Sequence, residues 1–355
     1  MKKIMLQVIL CCFAMALAPL CNADVLPVRG IHFGVPGKSD LPLCLKFIRE
    51  ALPKEGVNTL VLEFDYRYQY KSHPELVPNG ALSRDDVKQI VSACRDAKIE
   101  LIPQINCFGH QSWAKHTSNL LSTYPEFDET PGKYPDNKDI YCRSYCPYHP
   151  KVHPIMFALI DELSEVCESK AVHVGLDEVF IIADEDCPRC KDKTAAEVFA
   201  YEVNALHGHL KKSGKTLWMW GDRFLDGKIT GLGKWEASAN NTTSSIDLVP
   251  KDIVICDWHY ERAEPTAAYF AIKGFQVVSS PWRKSEVALG QLQLINLLRK
   301  DANSEIAIRM RGMLHTTWCG MVPFIKEYYD QGDQKNEAAM ESVDCFKKLF
   351  AAIPK

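Results

Sequence analysis

Eight short apolar or β-branched runs recur along this sequence, at 28–34, 57–64, 99–106, 171–176, 216–220, 253–256, 275–279 and 310–315. Between most of them lie longer stretches with apolar residues at helical spacing: 41–52, 83–97, 150–169, 194–213, 265–273 and 285–300, with a last one at 337–350. Strand and helix signals in alternation predict a parallel sheet covered by helices, because parallel neighbours need a crossover between them. Eight such units predict closure. The expected fold class is therefore α/β, a single (β/α)8 TIM barrel over 24–355. An open doubly wound sheet is the alternative, and it lacks its phosphate loop: Gly30-x3-Gly34 does not have the dinucleotide spacing. The segment 227–250 carries no clear helical period. The connection 111–149 is far longer than ordinary loops, a length that in compact domains generally serves a site.

The first residues have a different logic. Met1-Lys2-Lys3 is basic, 4–20 is apolar apart from Gln7, and Cys21-Asn22-Ala23 ends in a small residue, the pattern of a secretory signal peptide over 1–23. Export to the periplasm or the medium is expected. A lipoprotein anchor at Cys21 is disfavoured by the bulk of Leu20, and no later stretch is apolar enough to span a membrane. A net charge of −3 on 355 residues, with Lys and Arg scattered, gives no electrostatic footprint for nucleic acid. Of 14 cysteines, three (Cys11, Cys12, Cys21) belong to the leader. The odd number left means at least one free thiol or an intermolecular bond in an exported chain. Cys94, Cys107, Cys167 and Cys256 fall inside apolar patterns and read as buried hydrophobes. Cys142-x3-Cys146 and Cys187-x2-Cys190 lie in turn-rich loops, where four thiols can hold a structural zinc, form two disulfides or stay unlinked.

In a barrel of this kind active sites sit at the C-terminal ends of the strands. Those ends share a character here. Asp65 and Tyr66 follow the second run, His110 and Trp113 the third, and Asp177-Glu178 the fourth. Trp220 and Asp222 follow the fifth, Trp258, His259 and Tyr260 the sixth, Trp282 the seventh and Trp318 the eighth. Each residue alone has a bland reading as rim packing or a satisfied loop side chain, and Asp-Glu pairs commonly open loops. Together, indole faces with carboxylates and a histidine suit a pyranose, whose apolar face stacks on aromatics and whose hydroxyls bond to acids. Two adjacent acids at the end of an apolar strand also repel and resist desolvation, which separates their protonation states as acid-catalysed hydrolysis requires.

His173-Val174-Gly175-Leu176-Asp177-Glu178 resembles the His-x-Gly-x-Asp-Glu signature of glycoside hydrolase family 20, the β-N-acetylhexosaminidases. The segment 102–110, ending in Gly109-His110, resembles that family's third strand, and Trp220-Gly221-Asp222 and Thr317-Trp318 fall where it places pocket tryptophans. Leu62-Glu63-Phe64-Asp65 and Phe108-Gly109-His110 look most like the hexosaminidase D-like branch. The resemblance implies a retaining glycosidase acting on a glycan with terminal β-linked GlcNAc or GalNAc, in which the substrate's 2-acetamido oxygen is the nucleophile. It implies Glu178 as general acid and Asp177 as the group orienting the acetamido. His110 then sits beside the acids, Tyr260 bonds the acetamido group, and Trp220, Trp258 and Trp318 wall its pocket. Asp65, Asp222 and Trp282 complete the expected substrate-binding set. No cofactor is implied for catalysis. Two departures bear on sugar selectivity: after the first strand 35–38 offers Lys38 where many members have an Arg, and Gly320 stands where many have an acid. One geometric objection arises, since neighbours on a regular strand face opposite sides, so Asp177 and Glu178 share a pocket only if the pleat breaks. The rival functions are a sugar-binding barrel without turnover and a metal-dependent barrel hydrolase. The second generally needs a His-x-His pair after the first strand, where His32 stands alone.

Overall fold

The computed structural model describes residues 25–333 and 335–354; the expected leader, 1–23, lies outside them. Its main strands are β1 (Val28–Gly34), β2 (Thr59–Glu63), β3 (Glu100–Cys107), β4 (Ala171–Gly175), β5 (Thr216–Trp220), β6 (Val254–Asp257), β7 (Gln276–Ser279) and β8 (Met310–His315). Every pairing is parallel, and β1 joins β2 on one side and β8 on the other, which closes the barrel. The eight apolar runs thus become the eight staves, as the alternation predicts. Helices α1 (Leu41–Glu50), α2 (Arg84–Asp96), α3 (Val152–Val166), α4 (Ala195–Lys212), α5 (Thr266–Ile272), α6 (Ser285–Asp301), α7 (Met321–Tyr328) and α8 (Glu337–Ala352) surround it. Among the described residues no helix is long and apolar enough to cross a membrane.

Two apolar layers hold this arrangement. Inside the barrel, Val28, Val61, Ile102, Ala171, Trp218, Val254, Val278 and Leu314 fill the lumen, so it is a packed core and not a channel. Outside, each helix turns one stripe inward. In α2 that stripe is Val87, Ile90, Val91 and Cys94, all buried. Burying a large apolar side chain is worth roughly 1.5–3 kcal/mol, whereas helix propensities differ by about 0.5 kcal/mol per residue, so burial sets which face points in. Ser83 starts α2 with a reciprocal box: its Oγ accepts from Asp86 N–H at 3.2 Å, and Asp86 Oδ2 accepts from Ser83 N–H at 2.9 Å. Thr194 and Glu197 start α4 in the same way.

Two departures from regularity shape the top of the barrel. Between β5 and β6 the chain makes only short 3-10 turns, at Asp222–Phe224 and Thr243–Asp247, which agrees with the missing helical period there. Arg223, fully buried, organises this segment by donating to the carbonyls of Lys234, Trp235 and Ala237 at 2.9, 2.9 and 2.8 Å. Between β3 and β4 the register runs from Gln104↔His173 to Cys107↔Gly175, so β3 holds one extra residue just below the rim.

Candidate active site

The pleat breaks where the two acids need it to. Gly175 ends β4 with φ 70°, Leu176 follows at 73°, and Glu178 has φ 48°. Left-handed backbone at Leu and Glu is costly and persists only where its surroundings enforce it. Here the enforcement is visible. A Cβ on Gly175 would lie 2.5 Å from Asn106 Oδ1, and one on Gly109 would lie 2.9 Å from the Asp177 carbonyl oxygen, so both positions demand glycine. Glu178 N–H donates to Asp222 Oδ2 at 3.0 Å, and Asn240 Nδ2 donates to the carbonyls of Val179 and Phe180 at 2.8 and 3.1 Å. The result turns both carboxylates to one imidazole: His110 Nε2 lies 3.2 Å from Asp177 Oδ2 and 3.4 Å from Glu178 Oε2.

The charges on this trio are set by burial and by each other. Burial opposes the protonated form of His110, but the charge of Asp177, with bonds to both acids, outweighs it and holds the imidazole pKa well above its usual value. For Asp177 burial favours the neutral acid, yet His110 prevails and its pKa is lowered. Asp177 is accordingly an anion, with its Oδ2 engaged by His110 and its Oδ1 buried without a protein partner. An unpartnered buried carboxylate oxygen costs free energy unless a ligand satisfies it.

These acids line a cavity of about 600 Å³, in the range of small-molecule sites, together with Trp220, Trp258, Tyr260, Trp282 and Trp318. The indole N–H groups of Trp220, Trp258 and Trp282 are buried and unpartnered, leaving three donors for a ligand. The Tyr260 hydroxyl accepts from Trp318 Nε1 at 2.7 Å and lies 3.4 Å from Thr316 Oγ1, whose own proton has the Pro281 carbonyl as acceptor at 3.0 Å. Trp113, Tyr141 and Trp235 continue the aromatic wall outward in edge-to-face contacts of 4.9 Å, and Trp113 stacks on His110 at 6.1 Å.

Several expected residues prove to stand elsewhere. Asp65 does not line the cavity. Its φ of 47° takes it out of the β2 alternation, and its carboxylate sits behind Asn106, accepting from that residue's N–H at 2.8 Å and its Nδ2 at 3.3 Å. Burial and the nearby charge of Glu63 push its pKa to about 7. Asp222 does not line the cavity either; it is buried beneath Glu178, bonded to that backbone and to Arg223 Nε at 2.6 Å. Both stand behind the cavity wall and bond to residues that form it. Lys38 faces Asp86 at 3.4 Å on the exterior, and Gly320 caps α7. Of the four loop cysteines, only Cys146, Cys187 and Cys190 come together. Cys142 stands apart because 142–146 runs extended along the rim, and its Sγ accepts from His110 N–H at 2.7 Å. No disulfide joins any of the described cysteines.

Glu63, Gln104, Asn106, Tyr141, Trp235 and Glu236 line the cavity and were absent from the expected set. A signal for three of them was in the sequence. Val61 and Ile102 point into the lumen, and counting by two from each gives Glu63, Gln104 and Asn106. Nothing local foretold Trp235 and Glu236, which Arg223 gathers from an irregular segment. Glu236 is held by His259 Nδ1 at 2.8 Å, with Asp257 3.2 Å from the other ring nitrogen.

The family model for "Glycosyl hydrolase family 20, catalytic domain" matches residues 62–291. A β-hexosaminidase of Vibrio furnissii is 24% identical over 275 residues, covering 76% of this chain and 37% of that protein. Hexosaminidase D of Bos taurus is 22% identical over 208 residues, 56% of each chain. Among solved structures, the exo β-N-acetylglucosaminidase of Vibrio harveyi in complex with N-acetylglucosamine superposes with a TM-score of 0.63 at 16% identity, covering 93% of this chain and 55% of that one. The chain spans just over a third of the first of these proteins and little more than half of the other two.

Proposed function

The chain belongs to glycosyl hydrolase family 20, and from that premise we propose that it removes terminal β-linked N-acetylhexosamine by substrate-assisted hydrolysis with retention. The observation that carries this reading is the pair of adjacent carboxylates turned toward one protonated imidazole at the wall of an aromatic cavity. Asp177 Oδ1, anionic and unsatisfied, accepts the acetamido N–H of the sugar and aims its carbonyl oxygen at the anomeric carbon. As the oxazolinium ion forms, its positive charge develops against that carboxylate, an interaction stronger in the transition state than in the ground state. Tyr260 donates its proton to the acetamido oxygen and fixes its direction. Trp220, Trp258 and Trp318 enclose the methyl group and keep bulk water from the anomeric carbon. Glu178 protonates the leaving glycosidic oxygen and then takes a proton from the water that opens the oxazolinium. The cavity wall contains no Lys or Arg; Glu63 and Glu236 are its remaining acids and are assigned to the sugar hydroxyls. Trp113 and Trp235, more exposed, offer stacking faces for the leaving group.

The test is release of para-nitrophenol from the β-GlcNAc and β-GalNAc glycosides, with Glu178→Gln compared with wild type. Loss of a general acid costs about 10²–10⁴-fold in kcat. No turnover of either glycoside by the folded wild type sinks the reading and leaves a sugar-binding barrel. His110, Asp177 and Glu178 also bring three ligand-type atoms within 4.8 Å of one another, so the assay is repeated with a chelator. Immediate loss of activity without loss of folding favours a metal hydrolase. Export belongs to the same proposal and rests on the sequence of 1–23. It predicts that the protein recovered outside the cytoplasm begins at Asp24.

A further inference from the structure

We propose that Glu129, Cys146, Cys187 and Cys190 form a structural zinc site that ties the long loop after β3 to the loop after β4. The three thiol sulfurs and a Glu129 carboxylate oxygen lie within 4.8 Å of one another, and all four residues are wholly buried. Tetrahedral zinc, with sulfur at about 2.3 Å and oxygen at about 2.0–2.2 Å, separates its ligand atoms by roughly 3.5–3.8 Å. Cys146 and Cys187 are already 3.5 Å apart, and the Cys190–Glu129 pair, bonded at 2.7 Å through the thiol proton, opens by about 1 Å when an ion replaces that proton.

A further observation points to a ligand. Glu129 Oε2 is buried and has no partner, a cost that an ion removes. Pairing two of these cysteines in a disulfide still leaves Glu129 Oε2 buried without a partner, whereas one cation engages all four residues. The set is closed, with four protein ligands and no open position, which marks it as structural. Glu129 reaches it because 127–129 runs antiparallel to 144–146: Cys146 N–H donates to the Phe127 carbonyl at 2.7 Å and Glu129 N–H to that of Ser144 at 2.9 Å.

The site lies outside the sugar cavity, and the proposal stands apart from the glycosidase reading because metal content is measured without turnover. The full chain, purified without chelator and under reductant, is expected to hold about one zinc per chain by plasma mass spectrometry. Cys190→Ser and Glu129→Ala should raise the zinc dissociation constant at least tenfold, whereas Cys142→Ser should leave it unchanged. Should the Cys190 variant not fold, cobalt substitution of the wild type reads the same geometry through a thiolate charge-transfer band and intense tetrahedral visible bands. A metal-free wild type that takes up neither ion overturns the proposal. So does a disulfide within the trio by peptide mass mapping, or a Cys142→Ser variant that loses zinc as Cys190→Ser does.

Discussion

Replacing Asp177 by Asn changes one oxygen to an NH2 group and removes one charge, in a site where both oxygens have assigned directions. Oδ2 faces His110 Nε2 at 3.2 Å, and Oδ1 is buried without a protein partner. An imidazole that keeps a proton on Nε2 donates toward this position, so the Asn oxygen takes its side. The new NH2 then points to the place where the substrate's acetamido N–H arrives, donor against donor. The variant forfeits a hydrogen bond to a charged acceptor, about 1.5–3 kcal/mol, and leaves a buried donor unsatisfied, about 1–3 kcal/mol more. A total of roughly 2.5–6 kcal/mol corresponds to about 10²–10⁴ in rate. The bond forms on binding and strengthens as the acetamido becomes cationic, so the loss should appear in kcat/KM, with a fall in kcat beside a rise in KM. The assay is steady-state turnover of the para-nitrophenyl glycosides, with thermal unfolding as a control for folding. A folded Asp177→Asn variant within tenfold of wild-type kcat/KM would falsify substrate assistance through this residue.

Asp222 should matter through what it holds. With Asp222 and Arg223 almost fully buried, Asp222→Asn breaks a buried ion pair, and urea unfolding should show a loss of about 3–5 kcal/mol. Its kcat should fall as well, since Glu178 N–H hangs from the same oxygen; an unchanged unfolding midpoint refutes this account of the pair. Burial works against the protonated imidazole of His259, and Asp257 and Glu236 more than reverse it, holding the pKa up to about 10. With a folded pKa above an unfolded value of about 6.5, the folded state binds the extra proton. The contribution is complete below pH of about 6.5 and is lost as pH rises through about 10, by at most about 1.4 kcal/mol per pH unit. Wild type should therefore lose urea stability over that window more steeply than His259→Gln, and parallel curves contradict the assignment.

The barrel was legible because its signal is repeated. Parallel strands buried on both faces read as apolar runs, and a boundary misplaced by two residues, such as 57–64 for Thr59–Glu63, leaves the alternation intact. The acid pair at the end of β4 was legible as a feature because two acids ending such a run are costly anywhere else. Asp65 and Asp222 fall behind the cavity wall for one shared reason: proximity to a strand end in sequence says nothing about direction once φ turns positive or a 3-10 turn intervenes. Glu129 was out of reach, because it joins the cysteines only through antiparallel pairing inside a long loop, and that pairing has no periodic signature. Trp235 and Glu236 depend in the same way on one buried guanidinium, a tertiary contact that composition does not announce.

Asp177 and Glu178 are joined by a single peptide unit, so bond geometry holds their Cα atoms about 3.8 Å apart, while the turn held by Asp222 and Asn240 aims their carboxylates. The aromatic walls that meet them come from other strands and loops, held only by packing. Warming loosens packing and leaves covalent distances alone. The Cα spacing of the two acids therefore survives thermal expansion that the walls do not, and KM should deteriorate with rising temperature before kcat departs from simple activation behaviour.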